Sequence, residues 1–492
     1  FLKFLGSLEE THGQEVREKM GRNYEALGEV ADAYLRKIVK ALREDARKGQ
    51  LLQMMKHLGS IFPHLALIAP FVASSFHLHG DRGLLDEVRK TLPASRHSKK
   101  ILWFTDTLED LNGVSETLRK IASVAHEQHR NLKLVAPAGV KVQGMPNLVR
   151  IPIADEFVMP HYEDLRLSLP SLLPALRLIL NEEPDQIILS TPGPMGWLGL
   201  LAARILKIPV SGVYHTDFSS QARRIVGDET VVRFIESYLR FFYRQMDALW
   251  VPTREYMGLL SARGLDQSRM KLFRRGIDTR LFRPEPGAGL ELQKKFGLDG
   301  GLTLLYAGRV SQDKNLALLA GVYLSLSKRW NDVNLVIAGD GPWLGALKLQ
   351  LAGESRVRFT GRVAREDLAP LYAGSDLLVF PSATDTFGMV VLEAQSSGLP
   401  CVVNECGGPK EIIDEGQTGF VVRGQSPEDW FRALSDIIAR KKEDPEGFAK
   451  LGERAREKIL RTSRWEDILP DFFEDFSKAD FGLGTRDLLK IN

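Results

Sequence analysis

The order of apolar and polar positions divides the chain into three parts. Residues 12–48 place apolar or small residues at Met20, Tyr24, Leu27, Ala31, Tyr34, Ile38 and Ala41, with charges between them. That four-three spacing predicts an amphipathic helix with a narrow seam, suited to a partner helix. The apolar segment 51–76 is the natural partner, so residues 1–95 read as a helical appendage, partner- or membrane-facing, without catalytic signature. A charged linker follows at 94–100. From residue 101 short apolar runs alternate with amphipathic ones. Strands are expected at 101–105, 131–137, 186–190, 209–216 and 247–253, with helices at 115–129, 163–180, 196–207 and 229–245. The alternation then restarts. Strands are expected at 303–309, 334–340, 357–362, 376–382, 400–405 and 419–423. Helices are expected at 314–329, 343–352, 366–373, 388–398, 409–415 and 427–440. Such alternation means parallel sheets with crossover connections. The expected architecture is α/β: two Rossmann-like domains, 101–285 and 286–470, facing a cleft, with the tail 471–492 packing back on the first of them. Sheets of this kind bind ligands beyond the carboxyl ends of their strands.

Composition narrows the class. The chain has 492 residues, 44% hydrophobic and 26% charged, which suits a soluble enzyme of two or three domains. A formal net charge of +3 is too small to make nucleic acid the main partner. The basic clusters at 96–100, 223–224, 274–275 and 440–442 read as solvated faces. Two cysteines, Cys401 and Cys406, give no disulfide framework and favour a reducing compartment. No signal-peptide pattern opens the sequence, and its first residue, Phe1, is that expected of a fragment or processed product. The stretch LGSIFPHLALIAPFVASSF (58–76) is barely long enough to span a membrane and holds two prolines and a histidine. Packing within a helical domain is the expectation there.

The candidate chemistry lies where predicted strands end. In SATDTFGMVVLEAQSSGLP (382–400), a loop leads to a helix starting near Gly388. Free N–H groups and the dipole at a helix start suit a phosphate, and glycine lets a ligand approach the backbone. Glu393, about a turn and a half into the helix, is placed to accept bonds from ribose hydroxyls, with Asp385 on the other side of the bound group. The bland alternative is a dipole-favourable Asp and one exposed Glu, and helix physics alone leaves the two readings about even. YAGRVSQDKN (306–315) brings Arg309 and Lys314 to a strand end, as a diphosphate leaving group requires. Taken alone, these would be surface cations. VYHTDF (213–218) puts His215 and Asp217 at another strand end, where a core histidine and a helix-capping aspartate are the plain readings. Asn112-Gly113 opens the helix after the first strand. The sequence lacks G-x-G-x-x-G, the P-loop pattern, zinc spacing, H-E-x-x-H, G-x-S-x-G and a D-x-D pair.

Taken in order, the N-G-V loop, YHTDF, RRGIDTRLFRP (274–284), YAGRVSQDKN, LVIAGDGP, VRFTGRV, TDTFGMVVLE and GGPKEIIDEGQTGFVV (407–422) resemble the retaining glycosyltransferases of family GT4, with the GT-B fold. The resemblance covers about 101–470, nearest to lipid- and polyol-directed mannosyltransferases and sulfoquinovosyl-diacylglycerol synthases. It implies transfer of a sugar with retention, from a nucleotide-diphosphate sugar bound by the C-terminal domain to a lipid, polyol or glycan held by the N-terminal one. GDP-mannose is favoured over a UDP-sugar. Arg309 and Lys314 match the diphosphate-binding pair, and Glu393 the second acid of the E-x7-E motif. Asp385 stands where many members have the first Glu. Gly113 would meet the phosphates through its backbone, His215 the transferred sugar, and Arg358 the base edge. The backbone at Phe387, Gly388, Met389 and Val390 would bind sugar hydroxyls and phosphate. The resemblance implies no cofactor, no metal, and a cytoplasmic enzyme, peripheral at the inner face of the membrane. The rival readings are a sugar-nucleotide epimerase or a pyridoxal-phosphate phosphorylase on the same fold, and a silent membrane-associated scaffold.

Overall fold

Continuous apolar runs become central strands because both faces of a parallel sheet are covered. The computed structural model describes residues 10–48, 53, 56–57, 61–78, 99–109, 113–140, 142, 144–159, 162–225, 227–298 and 300–473. The strands are β1 (Ile101–Phe104), β2 (Leu132–Pro137), β3 (Leu148–Ile151), β4 (Ile153–Met159), β5 (Tyr162–Pro170), β6 (Gln186–Leu189), β7 (Val210–Val213), β8 (Ala248–Val251) and β9 (Met270–Leu272). A second series follows: β10 (Leu302–Ala307), β11 (Val333–Ala338), β12 (Val357–Gly361), β13 (Leu377–Phe380), β14 (Cys401–Asn404) and β15 (Gly419–Val422). One sheet has the order β3-β2-β1-β6-β7-β8-β9, and the other β12-β11-β10-β13-β14-β15. The chain divides into two compact units, residues 1–213 with 245–249, and 214–244 with 250–492.

In the second unit the sheet reverses direction of growth between β10 and β13, which pair in parallel. That is the switch point at which a doubly wound sheet receives its ligand. The loops leaving these two strands are 308–315 and 381–388, the segments singled out above. Every residue of β10, β11, β13 and β14 is buried.

In the first unit, the helix Glu10–Lys48 packs Tyr24, Leu27 and Ala31 against Ile68 and Phe71 of the helix Ile61–Leu78 and against Leu172 and Leu173. The Tyr24 hydroxyl donates to the Leu173 carbonyl at 2.5 Å, and the Tyr24 and Phe71 rings meet edge-on at 5.2 Å. Arg43 reaches Asp155 at 3.3 Å and the Glu156 carbonyl at 2.7 Å, so the long helix is also pinned to the β4–β5 hairpin. Among the described residues, no helix is long and apolar enough to cross a membrane.

The hairpin itself departs from the expectation of a helix over 163–180. Residues 162–170 are strand and the helix is Leu172–Glu182. Leu165, Leu167 and Leu169 alternate at period two, and β4 supplies the antiparallel partner, with Phe157 opposite Leu167 and Asp155 opposite Leu169. The expected helix at 409–415 is a 3-10 turn over Gly408–Ile412, and an additional helix runs Pro445–Thr462, capped by Asp444 accepting from the Gly447 N–H at 2.8 Å. The tail expected at 471–492 is described only to 473; in it the Phe472 ring packs on Trp250 and Phe273 at 5.3 and 5.4 Å within the second unit.

Candidate active site

Two glycine-bearing loops build the centre of the site in the second unit. Gly388, at φ 95°, precedes the helix Met389–Ser396, and a Cβ there would lie 2.9 Å from Pro409. A Cβ on Gly408 would lie 2.1 Å from the Thr386 carbonyl oxygen. The Gly408 N–H instead donates to the Asp385 carbonyl at 2.9 Å. The loops after β13 and β14 thus lie backbone to backbone, which only glycine permits. The first N–H groups of Met389–Ser396, including those of Met389 and Val390, are the ones a helix leaves unpaired within itself.

Asp385 is tied at both oxygens. Oδ1 accepts from the Phe387 N–H at 3.2 Å and Oδ2 from Lys314 Nζ at 2.9 Å. Burial works to raise the Asp385 carboxyl, but Lys314 outweighs it and holds the group below the usual carboxylate range. Burial likewise works to lower Lys314, and the Asp385 and Asp313 carboxylates outweigh it, keeping the ammonium above its ordinary value. Lys314 closes a 3-10 turn, Gln312–Lys314, with Asn315 at φ 56°, rather than sitting in the first turn of the helix Leu316–Arg329. Arg309 is exposed at the end of β10, and its carbonyl accepts from the Tyr306 hydroxyl at 2.8 Å. Its neighbours are held close: a Cβ on Gly339 would lie 1.8 Å from the Gly308 oxygen.

Glu393 is only 7% exposed. Its carboxylate accepts from Arg365 Nη2 at 3.1 Å and from the Tyr372 hydroxyl at 3.0 Å, both on the helix Arg365–Gly374. Burial first, and then the Glu393 charge, push Tyr372 well above its ordinary value, so the phenol stays protonated and donates. The sequence reading missed these two partners. Their spacing of seven on one helix places them on one face, which was the available signal.

His215, also in the second unit, is 5% exposed, and its carbonyl accepts from Thr386 Oγ1 at 2.7 Å. Its Nδ1 lies 3.2 Å from Arg275 Nη2. Burial and then Arg275 hold the imidazole well below its ordinary value, so the ring is neutral at pH 7. Arg275 corrects the expectation of a solvated face at 274–275: it is 5% exposed, and burial brings its ordinarily very high value down to about 10 against the opposing effect of Asp385. Asp217 serves as a cap, accepting from the Ser220 N–H at 3.3 Å and hydroxyl at 2.6 Å, and pairs with Arg263 at 2.9 Å.

Arg358 and Gly113 are placed as follows. Arg358 is at the amino end of β12, opposite the strand ends that carry the site loops. Its guanidinium donates to the carbonyls of Phe296, Gly297, Ser355 and Val357 at 2.6–3.0 Å, closing the helix Ala288–Phe296. Gly113 is in the first unit, at the start of the helix Gly113–Glu127, and its carbonyl accepts from Thr117 Oγ1 at 2.6 Å. Near it in sequence, Asp106 caps the helix Pro194–Leu206 through the Met195 N–H at 3.0 Å and also accepts from the Thr191 hydroxyl. Burial raises its carboxyl to about 6. Among the described residues, no three His, Cys, Asp or Glu side chains are grouped to hold a metal ion.

Two parallel α/β sheets, with cations and a helix start gathered at the switch point of the second, define an enzyme of the GT-B fold. Comparisons with known proteins agree. Residues 301–440 match the model for "Glycosyl transferases group 1" and residues 111–281 that for "Glycosyltransferase Family 4". The chain is 31% identical over 306 residues to the sulfoquinovosyl transferase SQD2 of Arabidopsis thaliana, an alignment covering 61% of this chain and 58% of that protein. It is 30% identical over 319 residues to a GDP-mannose-dependent alpha-mannosyltransferase of Mycobacterium tuberculosis, covering 64% of this chain and 81% of the relative. Anabaena HepE, solved with UDP and glucose, superposes with a TM-score of 0.60 at 19% identity over 76% of this chain and 98% of its own. The chain belongs to the group 1, family 4 glycosyltransferases. It is a hexosyltransferase by class.

Proposed function

We propose that the chain transfers a hexose, mannose from GDP-mannose in the favoured form, to a lipid-linked acceptor with retention at the anomeric carbon. The observation that carries this reading is the convergence of Arg309, Lys314 and the start of the helix Met389–Ser396 on the β10–β13 switch point. In the reaction the bond from the sugar's anomeric carbon to the diphosphate oxygen breaks and its electron pair stays on that oxygen. The acceptor hydroxyl oxygen bonds to the same face of the carbon, and its proton passes to the leaving phosphate oxygen. Arg309, Lys314 and the helix N–H groups stabilise the charge developing on the diphosphate, a role that calls for no metal. Asp385 orients Lys314 for it. Glu393, held by Arg365 and Tyr372, would accept from ribose hydroxyls.

Relatives support the acceptor class. They include an alpha-(1-6)-phosphatidylinositol monomannoside mannosyltransferase of Mycobacterium tuberculosis and an alpha-monoglucosyldiacylglycerol synthase of Streptococcus pneumoniae. A UDP-sugar donor is the second reading, favoured by the UDP-glucose complex of HepE. A lipid acceptor calls for contact with a membrane surface, on the cytoplasmic face where nucleotide sugars are made. The helix Glu229–Arg244 offers the surface. Val231, Phe234, Tyr238 and Phe241 form an exposed stripe, Phe234 at 74% and Phe241 at 59%. Arg233, Arg240 and Arg244 lie beside it, the composition of a helix that rests on anionic lipid. This reading places the docking element outside 51–76, where Ile68 and Phe71 of the helix Ile61–Leu78 pack within the first unit.

The test is incubation of the full chain with radiolabelled GDP-mannose or UDP-glucose and vesicles containing phosphatidylinositol or diacylglycerol. Label from GDP-mannose in a solvent-extractable glycolipid supports the favoured donor, and product from UDP-glucose alone supports the second. Free sugar or a free epimer as the sole product overturns the transferase reading. Flotation of a Phe234→Ser, Phe241→Ser double variant with anionic vesicles tests the surface: undiminished binding overturns it.

A further inference from the structure

Arg275 is a buried cation that the leaving-group chemistry does not use. Its guanidinium lies over two aromatic rings, 5.5 Å from the Phe273 centroid and 5.1 Å from that of Phe387. This fixes the plane of the group, and Nη2 then stands 3.2 Å from Nδ1 of His215. The imidazole is fixed in turn: it packs edge-on against Phe273 at 5.4 Å, and Thr386 pins its main chain. A guanidinium has five N–H donors and no acceptor. The contact therefore uses the lone pair on Nδ1. A neutral imidazole that accepts at Nδ1 carries its hydrogen on Nε2.

We propose that Arg275 is a positioning residue that locks His215 in the Nε2–H form, making the ring a hydrogen-bond donor to an oxygen of the transferred sugar and not a base. The proposal rests on the reading of His215 as the residue that meets that sugar. It has a chemical consequence. A ring with its hydrogen already on Nε2 has no lone pair there to accept the proton of the acceptor hydroxyl. That proton goes to the leaving phosphate oxygen, as in the step written above. Arg275 thus acts on the transferred sugar through His215, and its contacts with Phe387 and with the Asp385 charge hold it in place.

The experiment is nitrogen-15 spectroscopy of the full chain labelled at histidine. The sequence has 10 histidines, and the signals of His215 are those lost in His215→Gln. The expected wild-type pattern is a protonated Nε2 and an unprotonated Nδ1 at neutral pH. Arg275→Lys, which still donates, is expected to retain that pattern. Arg275→Met is expected to mix the two forms and to lower kcat about tenfold, the loss of one oriented hydrogen bond, with GDP affinity unchanged. A hydrogen on Nδ1 in the wild type overturns the proposal, as does an unaltered His215 pattern in Arg275→Met that binds GDP normally. Should Arg275→Met fail to fold, the wild-type and Arg275→Lys spectra still decide. Wild-type turnover by His215→Gln would overturn the sugar-contact reading separately, because the spectra do not depend on turnover.

Discussion

Lys314 Nζ and Asp385 Oδ2 are 2.9 Å apart, joining the loops that leave two paired strands, β10 and β13. Both side chains are largely shielded, at 18% and 24% exposure, so the pair is more than a surface contact. Asp385 also fixes its own loop through the Phe387 N–H. The shorter acid found here in place of glutamate is therefore an organiser of the cation and of the loop that leads into the donor-facing helix.

The pair has a pH signature with a definite sign. A depressed acid such as Asp385 adds stability that is present above its unfolded value and lost as pH falls through the folded one. A raised base such as Lys314 adds stability that is lost only as pH rises through its folded value. The melting-temperature deficit of Asp385→Asn should therefore be constant through neutral pH and shrink below about pH 4. Thermal melts across a pH series check this; a deficit that grows on acidification would contradict it.

Glu393 should act on donor binding. Glu393→Ala is expected to weaken GDP binding about tenfold or more, as a lost charged hydrogen bond does, with a smaller change in kcat. Tyr372→Phe and Arg365→Met should each weaken it less, because the carboxylate remains and loses one orienting partner. Calorimetry with free GDP reads all three. Equal affinity in Glu393→Ala would remove the ribose assignment.

Asp106 predicts the opposite pH trend from Asp385. Its carboxyl, raised by burial to about 6, binds more protons in the folded chain than in the unfolded one. Stability from this group is full below the unfolded value near 4 and falls as pH rises toward 6, by roughly 2–3 kcal/mol. Asp106→Asn should flatten that decline in chemical denaturation at a series of pH values, while keeping an oxygen to cap the Met195 N–H. An unchanged slope would show that Asp106 is not its source.

Gly408→Ala places a methyl where the Thr386 carbonyl now lies, so the two loops must part. The expected result is a loss of GDP affinity by about tenfold or more with the fold retained, as shown by calorimetry and circular dichroism. Wild-type affinity would mean that the close approach of these loops is dispensable.

Much of this was legible in the sequence, and the exceptions share a cause. The strands β10, β11, β13 and β14 are mostly apolar and wholly buried, so local pattern alone places them. The positions of Lys314 and Asp385 follow, in the loops after β10 and β13, and Glu393 lies within the helix that the second loop opens. What local pattern could not supply was the partner across space. The segment 162–170 alternates as a strand should, yet β4 is what makes it one. Arg275 looks like half of a solvated basic pair until Phe273, Phe387 and His215 are found around it. Arg358 stands in a recognisable motif, but its place at the amino end of β12 turns it toward the carbonyls of a neighbouring helix. Burial of a cation is decided by distant chain segments, and a sequence read locally does not contain them.

The most direct test is the single-turnover rate of Lys314→Ala with saturating donor and lipid acceptor. If the Lys314 ammonium stabilises the departing diphosphate, the rate should fall at least about tenfold, roughly 1.4 kcal/mol of transition-state stabilisation, with a smaller effect on GDP affinity. A wild-type single-turnover rate would contradict the assignment of Lys314 to the leaving group.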